Sequence, residues 1–190
     1  MALCSTFPRP TSELLNVFDR REVSKDFVTL KRYVRCFQVP GLDRDAAQAN
    51  RDYLAALGSA VYPPLHAEDI CWTLAKRGHR LYLVTNAVAP VQRSRLKNSV
   101  FAELVAGAFI SEDTGASKPD KVYFDDVLSC IPGASVENSL IIGDSLATDI
   151  RGANDAGLPC CWFNPKGRIR QDGLRIDYEI SDLRQLLNIV

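Results

Sequence analysis

Beyond Pro63 and Pro64, the sequence alternates between short apolar segments and segments with helical spacing. The segments that read as strands are Arg80–Thr85, Ala108–Ser111, Ser139–Ile142, Pro159–Phe163 and Asp177–Ile180. The helical segments are Ala67–Arg77, Arg93–Ala106, Asp120–Cys130 and Thr148–Ala156, followed by a last helix from Ser181. Apolar strands that alternate with helices are typical of parallel βαβ units, in which helices cover both faces of the sheet. The sequence therefore predicts an α/β fold with a parallel sheet over residues 63–190.

The first part of the chain, residues 1–62, has helical spacing only. Two apolar stripes recur at that spacing, one made of Val23, Phe27, Leu30, Val34 and Phe37, the other of Ala46, Ala49, Tyr53, Leu54 and Leu57. Ser24 lies near the expected N-cap of the first helix, and Asp43 can cap the second. Pro40 and Gly41 separate the two helices. We expect a small all-helical unit that is separate from the sheet.

Charge and cysteine content exclude several classes of function. Lys and Arg number 23, as do Asp and Glu, so the zero net charge gives no reason to expect nucleic acid or an acidic membrane as a partner. The longest apolar run, Leu104–Ile110, is far shorter than the roughly 20 residues of a membrane span. The first ten residues lack the apolar core of a secretory signal. The six cysteines include no C-x-x-C pair and are accompanied by two histidines, which favours reduced thiols in a cytoplasmic protein over disulfides or zinc. Cys160 and Cys161 are adjacent in a predicted strand, which would point them to opposite faces.

Polar residues with complementary chemistry follow the predicted strands. Thr85 and Asn86 end one strand, Asp144 and Asp149 follow another, and Lys118 lies between them just before a helix. Ligands of parallel α/β folds bind at the carboxyl ends of the strands. Each residue alone also has a structural explanation, as a helix cap, a first-turn acid or a solvated lysine. Together, a hydroxyl, a lysine and two carboxylates predict a phosphate site with a hard cation such as Mg²⁺.

These residues stand in three segments, Val84–Asn86, Gly115–Asp120 and Ile142–Gly157, that resemble motifs II, III and IV of the haloacid dehalogenase (HAD) superfamily. The sequence is most similar to the branch with a helical cap that contains a YjjG-type pyrimidine 5′-nucleotidase. The resemblance implies a Rossmann-like, HAD-like core over 63–190 and a partial helical cap over 1–62. It also implies a cytoplasmic monomer or homodimer that acts on a small phosphorylated substrate, with a nucleoside monophosphate favoured.

The resemblance also assigns roles to the candidate residues. Thr85, Asn86 and Lys118 would be catalytic and would bind the phosphoryl group. Asp144 and Asp149 would form the Mg²⁺ site, with Asp144 a direct ligand and Asp149 further from the metal or paired with Lys118. We expect Gly143 to let the backbone turn sharply before Asp144.

Motif I of the superfamily, an apolar strand followed by Asp-x-Asp, has no counterpart that we can find. Asp43 and Asp45 have the spacing, but Pro40 and Gly41 precede them and a helical pattern follows, so capping explains them better. The motif I strand would be the middle one of the sheet, and its loss predicts either a gap with unpaired backbone groups or a rearranged sheet. Either the chain is truncated, or it is a degenerate homologue that keeps a binding pocket. The intact motifs II to IV favour truncation.

Other functions remain open at this point. A sugar-phosphate or N-acylneuraminate-9-phosphate phosphatase fits the sequence almost as well as a nucleotidase. A dehalogenase proper uses no metal, and the paired aspartates argue against it. A catalytically dead homologue that binds a phosphoryl ligand or another protein is the alternative of another class. Whether the chain as given is an active enzyme is therefore undecided from the sequence.

Overall fold

The structure is a computed structural model that describes residues 25–38, 44–170 and 173–190. The chain forms two compact units, the first ending at Ala60 and the second running from Val61 to Val190. The sequence places this division two residues later, at the end of residue 62. The candidate site residues all belong to the second unit.

In the described part of the first unit there are two helices, α1 (Lys25–Phe37) and α2 (Ala46–Ser59). Aromatic side chains connect them, since the centroids of the Tyr33 and Tyr53 rings are 6.1 Å apart. Tyr33 is buried, and the Arg32 guanidinium lies over the Tyr53 ring. The predicted pair of amphipathic helices is therefore confirmed for these residues.

Asp45 is the N-cap of α2. Its carboxylate accepts hydrogen bonds from the backbone N–H groups of Ala47 and Gln48, at 2.8 and 3.2 Å. Capping thus explains Asp45 better than a role in motif I, but the predicted cap was Asp43, two residues earlier. Asp43 and Ser24, the predicted caps, lie outside the described residues.

The second unit alternates helices with short strands. Its helices are α3 (Ala67–Lys76), α4 (Ala89–Lys97), α5 (Ser111–Thr114), α6 (Lys121–Cys130) and α7 (Arg151–Asp155). Its strands are β1 (Leu81–Thr85), β2 (Val105–Ile110), β3 (Ile141–Gly143), β4 (Cys160–Phe163) and β5 (Tyr178–Ile180). The α/β class predicted from the alternation is confirmed. None of the described helices is long and apolar enough to cross a membrane.

All the strand pairings are parallel, as predicted. β1 pairs with β2, so that Thr85 lies opposite Ile110. β4 lies between β3 and β5, with Cys161 opposite both Ile142 and Tyr178. Among the described residues, β1 and β3 have no strand on their other sides, so the strands form two separate sheets. The loss of a middle strand stays a prediction, because residues 1–24 lie outside the described part of the chain.

Two apolar clusters fill the second unit, one on each face of β4. Cys160 packs with Tyr123 and Phe124 of α6. Cys161 packs in the other cluster, with Ile70 of α3 among its members. Both cysteines are fully buried. The alternation of side chains along a strand predicted these opposite directions, and the structure confirms it.

The helix predicted over Arg93–Ala106 is wrong in its bounds. α4 begins four residues earlier than predicted, with Pro90 in its first turn, where proline is favoured because the first N–H groups have no helical partner. It ends before Ser99, whose hydroxyl donates to the Leu96 carbonyl at 2.7 Å. A 3₁₀ turn follows, and β2 already begins at Val105.

Two further helices are shorter or tighter than predicted. The last helix is a 3₁₀ turn over Leu183–Asn188, which begins with a capping box between Asp182 and Gln185. The segment Thr148–Ala156 divides between a π-helical turn, Leu146–Ile150, and α7. In that turn the Ser145 carbonyl accepts from the N–H of Ile150, one residue further along than in an α-helix.

Candidate active site

Lys118 connects the carboxyl ends of the two sheets. Its Nζ donates to the Val84 carbonyl of β1 at 3.0 Å and to Asp149 Oδ1 at 2.6 Å. Asp149 lies in the π-helical turn that follows β3. The side chains of Lys118 and Asp149 are each only 10% exposed, so the two form a buried ion pair. The positive charge is thereby fixed beside Thr85, at the edge where ligands of such folds bind.

Asn86 holds the backbone of Lys118 in place. Its side-chain amide donates to the Lys118 carbonyl at 2.8 Å, and its Oδ1 accepts from the Lys118 N–H at 2.9 Å. Both ends of the amide are therefore engaged with one residue. The side chain of Asn86 therefore positions Lys118, and the phosphoryl contact that the sequence predicted for Asn86 stays a prediction.

Tyr123 of α6 fixes the end of β1. The backbone N–H of Thr85 donates to the Tyr123 hydroxyl at 3.0 Å, and this hydroxyl donates to the Phe109 carbonyl of β2 at 2.6 Å. Burial raises the pKa of Tyr123 to about 12, so the hydroxyl keeps its proton. Within the described part of the chain, the Thr85 hydroxyl itself makes no hydrogen bond.

Asp149 is held from two sides. Besides the bond from Lys118, its Oδ2 accepts from the Ser145 N–H at 3.1 Å. Position 143 has to be glycine, because a Cβ there would collide with the Asp149 side chain. Both carboxylate oxygens are thus occupied by protein donors. Asp149 holds the Lys118 side chain in place.

Asp144 is arranged differently, since its side chain is 71% exposed. Its backbone carbonyl accepts from Trp162 Nε1 at 3.2 Å and from the Arg168 guanidinium at 2.6 Å. The same guanidinium lies 3.6 Å from Asp144 Oδ2 and over the Trp162 ring. The backbone of Asp144 is therefore fixed, while its carboxylate faces outward beside a cation.

The donor set fits a weakly held Mg²⁺ ion. No group of three or more Asp, Glu, His or Cys side chains that could hold a metal exists within the described ranges. Mg²⁺ usually keeps several waters and takes one or two protein carboxylates together with substrate phosphates. The exposed Asp144 carboxylate meets that requirement, whereas Asp149 would have to give up a hydrogen bond to act as a second ligand.

The structure brings together four of the five residues that the sequence singled out. Asn86 contacts Lys118, Lys118 contacts Asp149, and Thr85 follows the carbonyl that Lys118 binds. The carboxylate of the fifth residue, Asp144, contacts Arg168 instead.

The sequence reasoning missed Tyr123 and Trp162 as residues that support the site. It also missed Arg168, which contacts Asp144. The spacing of Tyr123, five residues after Lys118 and on the apolar face of α6, is the one local signal for it.

Comparisons with known proteins show the family of the chain. A model of the Hydrolase-like family, described as HAD-hydrolase-like, matches residues 115–183, which include Lys118, Asp144 and Asp149. YfnB of Bacillus subtilis (strain 168) is 35% identical over 177 residues, which are 93% of this chain and 75% of YfnB. Its magnesium-bound crystal structure matches with a TM-score of 0.80, over 93% of this chain and 77% of that one.

Two of the similar proteins are named pyrimidine 5′-nucleotidases. The pyrimidine 5′-nucleotidase PynA of Streptococcus pneumoniae is 32% identical, over 88% of this chain and 71% of PynA. The pyrimidine 5′-nucleotidase YjjG of Escherichia coli is 31% identical, over 76% of this chain and 64% of YjjG.

Proposed function

Because the chain belongs to the haloacid dehalogenase superfamily of hydrolases, we propose that it provides the phosphate-binding part of a Mg²⁺-dependent phosphatase. The favoured ligand is a nucleoside monophosphate. Two relatives named pyrimidine 5′-nucleotidases support that choice, at 32% and 31% identity. The buried Lys118–Asp149 pair at the end of β1 is the observation that carries the proposal, because a fixed cation beside a strand end has an anion as its natural ligand.

In this proposal, Thr85 and Lys118 bind the phosphoryl oxygens. The Thr85 hydroxyl donates one hydrogen bond, and the Lys118 ammonium, which has three donors, gives one to the ligand while keeping Val84 and Asp149. Charge-assisted bonds of this kind are roughly twice as strong as neutral ones. Asn86 and Asp149 act by holding Lys118 at the position from which it reaches the ligand.

Asp144 is the proposed protein ligand of Mg²⁺. When bound, the ion would supply positive charge that neutralises the phosphate oxygens. The Trp162 and Arg168 bonds to the Asp144 carbonyl hold the backbone and leave the carboxylate exposed. Asp149 stays with Lys118 and is not a direct ligand.

Phosphate binding tests the first part of this proposal. We expect isothermal titration to detect phosphate binding, and we expect Thr85→Val and Lys118→Met to weaken it about tenfold or more, the equivalent of one charge-assisted hydrogen bond. Thr73→Val and Lys121→Met are matched controls, because both residues are on exposed helix surfaces. Thr85→Val leaves the Lys118–Asp149 ion pair intact. A lower phosphate affinity in this variant therefore reports the lost hydroxyl contact and not unfolding of the chain. Unchanged affinity in Thr85→Val would refute the assignment.

Mg²⁺ binding tests the second part. We expect Mg²⁺ to bind weakly on its own and more tightly with phosphate present, since the ion takes ligands from both. Asp144→Asn should abolish this linkage, and Asp126→Asn, on the exposed side of α6, should preserve it. A parent and an Asp144→Asn variant with equal Mg²⁺ affinity would disprove the role of Asp144.

We also propose that the 190-residue chain does not turn over phosphomonoesters. Phosphoryl transfer in the superfamily passes through an aspartyl phosphate, and no residue of this sequence matches that nucleophile. In another enzyme with a covalent intermediate, loss of the nucleophile costs on the order of 10⁶ in kcat. Phosphate binding without turnover, measured over nucleoside monophosphates and sugar phosphates with Mg²⁺, is the expected result. Turnover that disappears in Asp144→Asn would show that the chain holds an unrecognised nucleophile.

The panel of ligands also decides between substrate classes. Competition with bound phosphate should rank nucleoside monophosphates above sugar phosphates if the nucleotidase relatives are the right guide. A chain extended at its amino end by an apolar strand and Asp-x-Asp should then hydrolyse the best-ranked ligand. An extended, folded chain that binds phosphate but remains inactive would favour a binding protein over an enzyme.

A further inference from the structure

A buried asparagine fixes the backbone of Arg168 at the carboxyl end of β4. Asn164 directly follows β4 and is only 3% exposed. Its Oδ1 accepts from the Arg168 N–H at 2.8 Å, and its amide donates to the Arg168 carbonyl at 2.9 Å. The same amide donates to Glu179 Oε1 of β5 at 2.8 Å. The position of Arg168 is therefore set from the sheet, through backbone bonds that do not depend on the arginine side chain.

The same two-bond arrangement occurs at Lys118. There the Asn86 side chain accepts from the backbone N–H and donates to the backbone carbonyl of one basic residue. Lys118 pairs with Asp149, whereas Arg168 contacts Asp144. Each of the two candidate aspartates thus has beside it a basic residue whose backbone is held by an asparagine. This repetition indicates that Arg168 has a specified place beside Asp144.

The Arg168 guanidinium contacts Asp144 at two points. It donates to the backbone carbonyl at 2.6 Å, and it lies 3.6 Å from Oδ2 of the carboxylate. The second distance is too long for a hydrogen bond, so the carboxylate is attracted by the positive charge without being bound through an N–H group. The Asp144 side chain, which is 71% exposed, therefore remains accessible but already has a cation next to it.

We propose that Arg168 competes with Mg²⁺ for the Asp144 carboxylate and lowers the affinity of the chain for this ion. The inference rests on the proposed function, in which Asp144 is the protein ligand of Mg²⁺. Two cations beside one carboxylate repel each other, and Asn164 prevents the backbone of Arg168 from moving away. A carboxylate weakened in this way holds the ion well only when a phosphate adds further negative charge and further ligands.

A purely supporting role for Arg168 predicts the opposite effect. If its bond to the Asp144 carbonyl mainly held Asp144 in place, removal of the side chain would loosen this residue and weaken Mg²⁺ binding. If Arg168 competes with the ion, removal of its charge strengthens Mg²⁺ binding. The bond from Trp162 Nε1 to the same carbonyl is kept in both cases. The sign of the change in Mg²⁺ affinity therefore distinguishes the two roles.

The test is isothermal titration of the purified chain with MgCl₂, in the parent and in Arg168→Gln. We expect Arg168→Gln to bind Mg²⁺ about fivefold more tightly, near the upper end of what an exposed ion pair changes in an equilibrium constant. Arg168→Lys keeps the charge and should bind Mg²⁺ as the parent does. Arg170→Gln is the matched control, because it removes the same charge from a neighbouring side chain that pairs with Glu179, and it should leave the Mg²⁺ affinity unchanged.

Two further measurements locate the gain at Asp144. In an Asp144→Asn background, Arg168→Gln should no longer raise the Mg²⁺ affinity, because the carboxylate for which the two cations compete is absent. With Asp144 present, the difference between the parent and Arg168→Gln should shrink as NaCl is added, since salt screens charges that are exposed to solvent.

The possible failures of this inference and of the proposed function are distinguishable. Unchanged or weaker Mg²⁺ binding in Arg168→Gln, with Asp144→Asn still weaker than the parent, would overturn the competition and leave the proposed function intact. Equal Mg²⁺ affinity of the parent and Asp144→Asn would refute the role of Asp144, and this inference with it. A loss of phosphate affinity in Arg168→Gln as large as that in Lys118→Met would make Arg168 a phosphate ligand and would also overturn the competition.

Discussion

The Lys118–Asp149 pair allows a direct test of how burial changes the contribution of an ion pair to the free energy of unfolding. A second pair in the same unit, Lys121–Asp125, has the same N–O distance of 2.6 Å. The side chains of the first pair are each 10% exposed, whereas those of the second are 56% and 47% exposed. Lys118→Met and Lys121→Met make the same chemical change in these two environments.

Lys118→Met leaves the Asp149 carboxylate buried with only the Ser145 N–H as a partner. Removing one member of a buried ion pair lowers the free energy of unfolding by about 3–5 kcal/mol. Because the Ser145 N–H still donates to Asp149, we expect a loss of about 3 kcal/mol. Lys121→Met should cost about 0–0.5 kcal/mol, as for other exposed i,i+4 pairs. For a chain of this length, about 3 kcal/mol lowers the melting temperature by roughly 6–12 °C.

Urea unfolding measures these costs, with the fluorescence of the buried Trp162 as one signal. Lys118→Met/Asp149→Asn should be less destabilised than the sum of its two single variants, because the double variant leaves no uncompensated charge. The cost of Lys118→Met should also change little between low and high salt, unlike that of an exposed pair. A cost below about 1 kcal/mol, equal to that of Lys121→Met, would mean that solvent screens the pair and that our reading of its burial is wrong.

Two further predictions concern the same region. Gly143→Ala should destabilise the chain measurably in urea unfolding, because its Cβ would collide with the buried carboxylate of Asp149. Gly107→Ala is the control and should be tolerated, because its Cβ meets only the edge of the Tyr82 ring, at 3.4 Å. Tyr123 has its pKa raised from 10.0 to about 12 by burial, so its contribution to stability is complete below pH 10 and is lost as the pH rises through 12. Unfolding measured from pH 8 to 12 should show this loss, on the order of 2–3 kcal/mol, and Tyr123→Phe should flatten that part of the profile. An unchanged profile in Tyr123→Phe would assign the alkaline loss to another group, with the buried Cys161 thiol next to be examined.

The fold was predictable where one local pattern decided the structure. The alternation of apolar strands with helices predicted the parallel α/β unit, and the period of two along a strand predicted that Cys160 and Cys161 face opposite clusters. The bounds of α4 were not predicted. Apolar residues continue beyond its end with helical spacing, but Ser99 terminates it, and Val105 pairs with Leu81 in a contact that local sequence does not specify.

The candidate site was predictable in its residue types but not in all its contacts. Thr85, Lys118 and the two aspartates follow predicted strands or precede a helix, so topology alone brings them to one edge. Arg168 contacts Asp144 at a separation of 24 in the sequence, with α7 and β4 between them, and no spacing rule predicts that contact. The difference between the exposed Asp144 and the buried Asp149 likewise depends on tertiary packing around them.

In the described part of the second unit, the two sheets are held together although β1 and β3 do not pair. Apolar clusters against α6 and α3 include side chains from both strands, with Val84 and Ile141 on one face and Leu81 and Leu140 on the other. Lys118 adds a polar link at the carboxyl end. Helix packing and this link hold the ends of β1 and β3. We therefore expect the residues proposed to bind phosphate to keep their positions without a strand between β1 and β3. We therefore propose that anion binding does not require turnover in this chain, and we expect the first without the second.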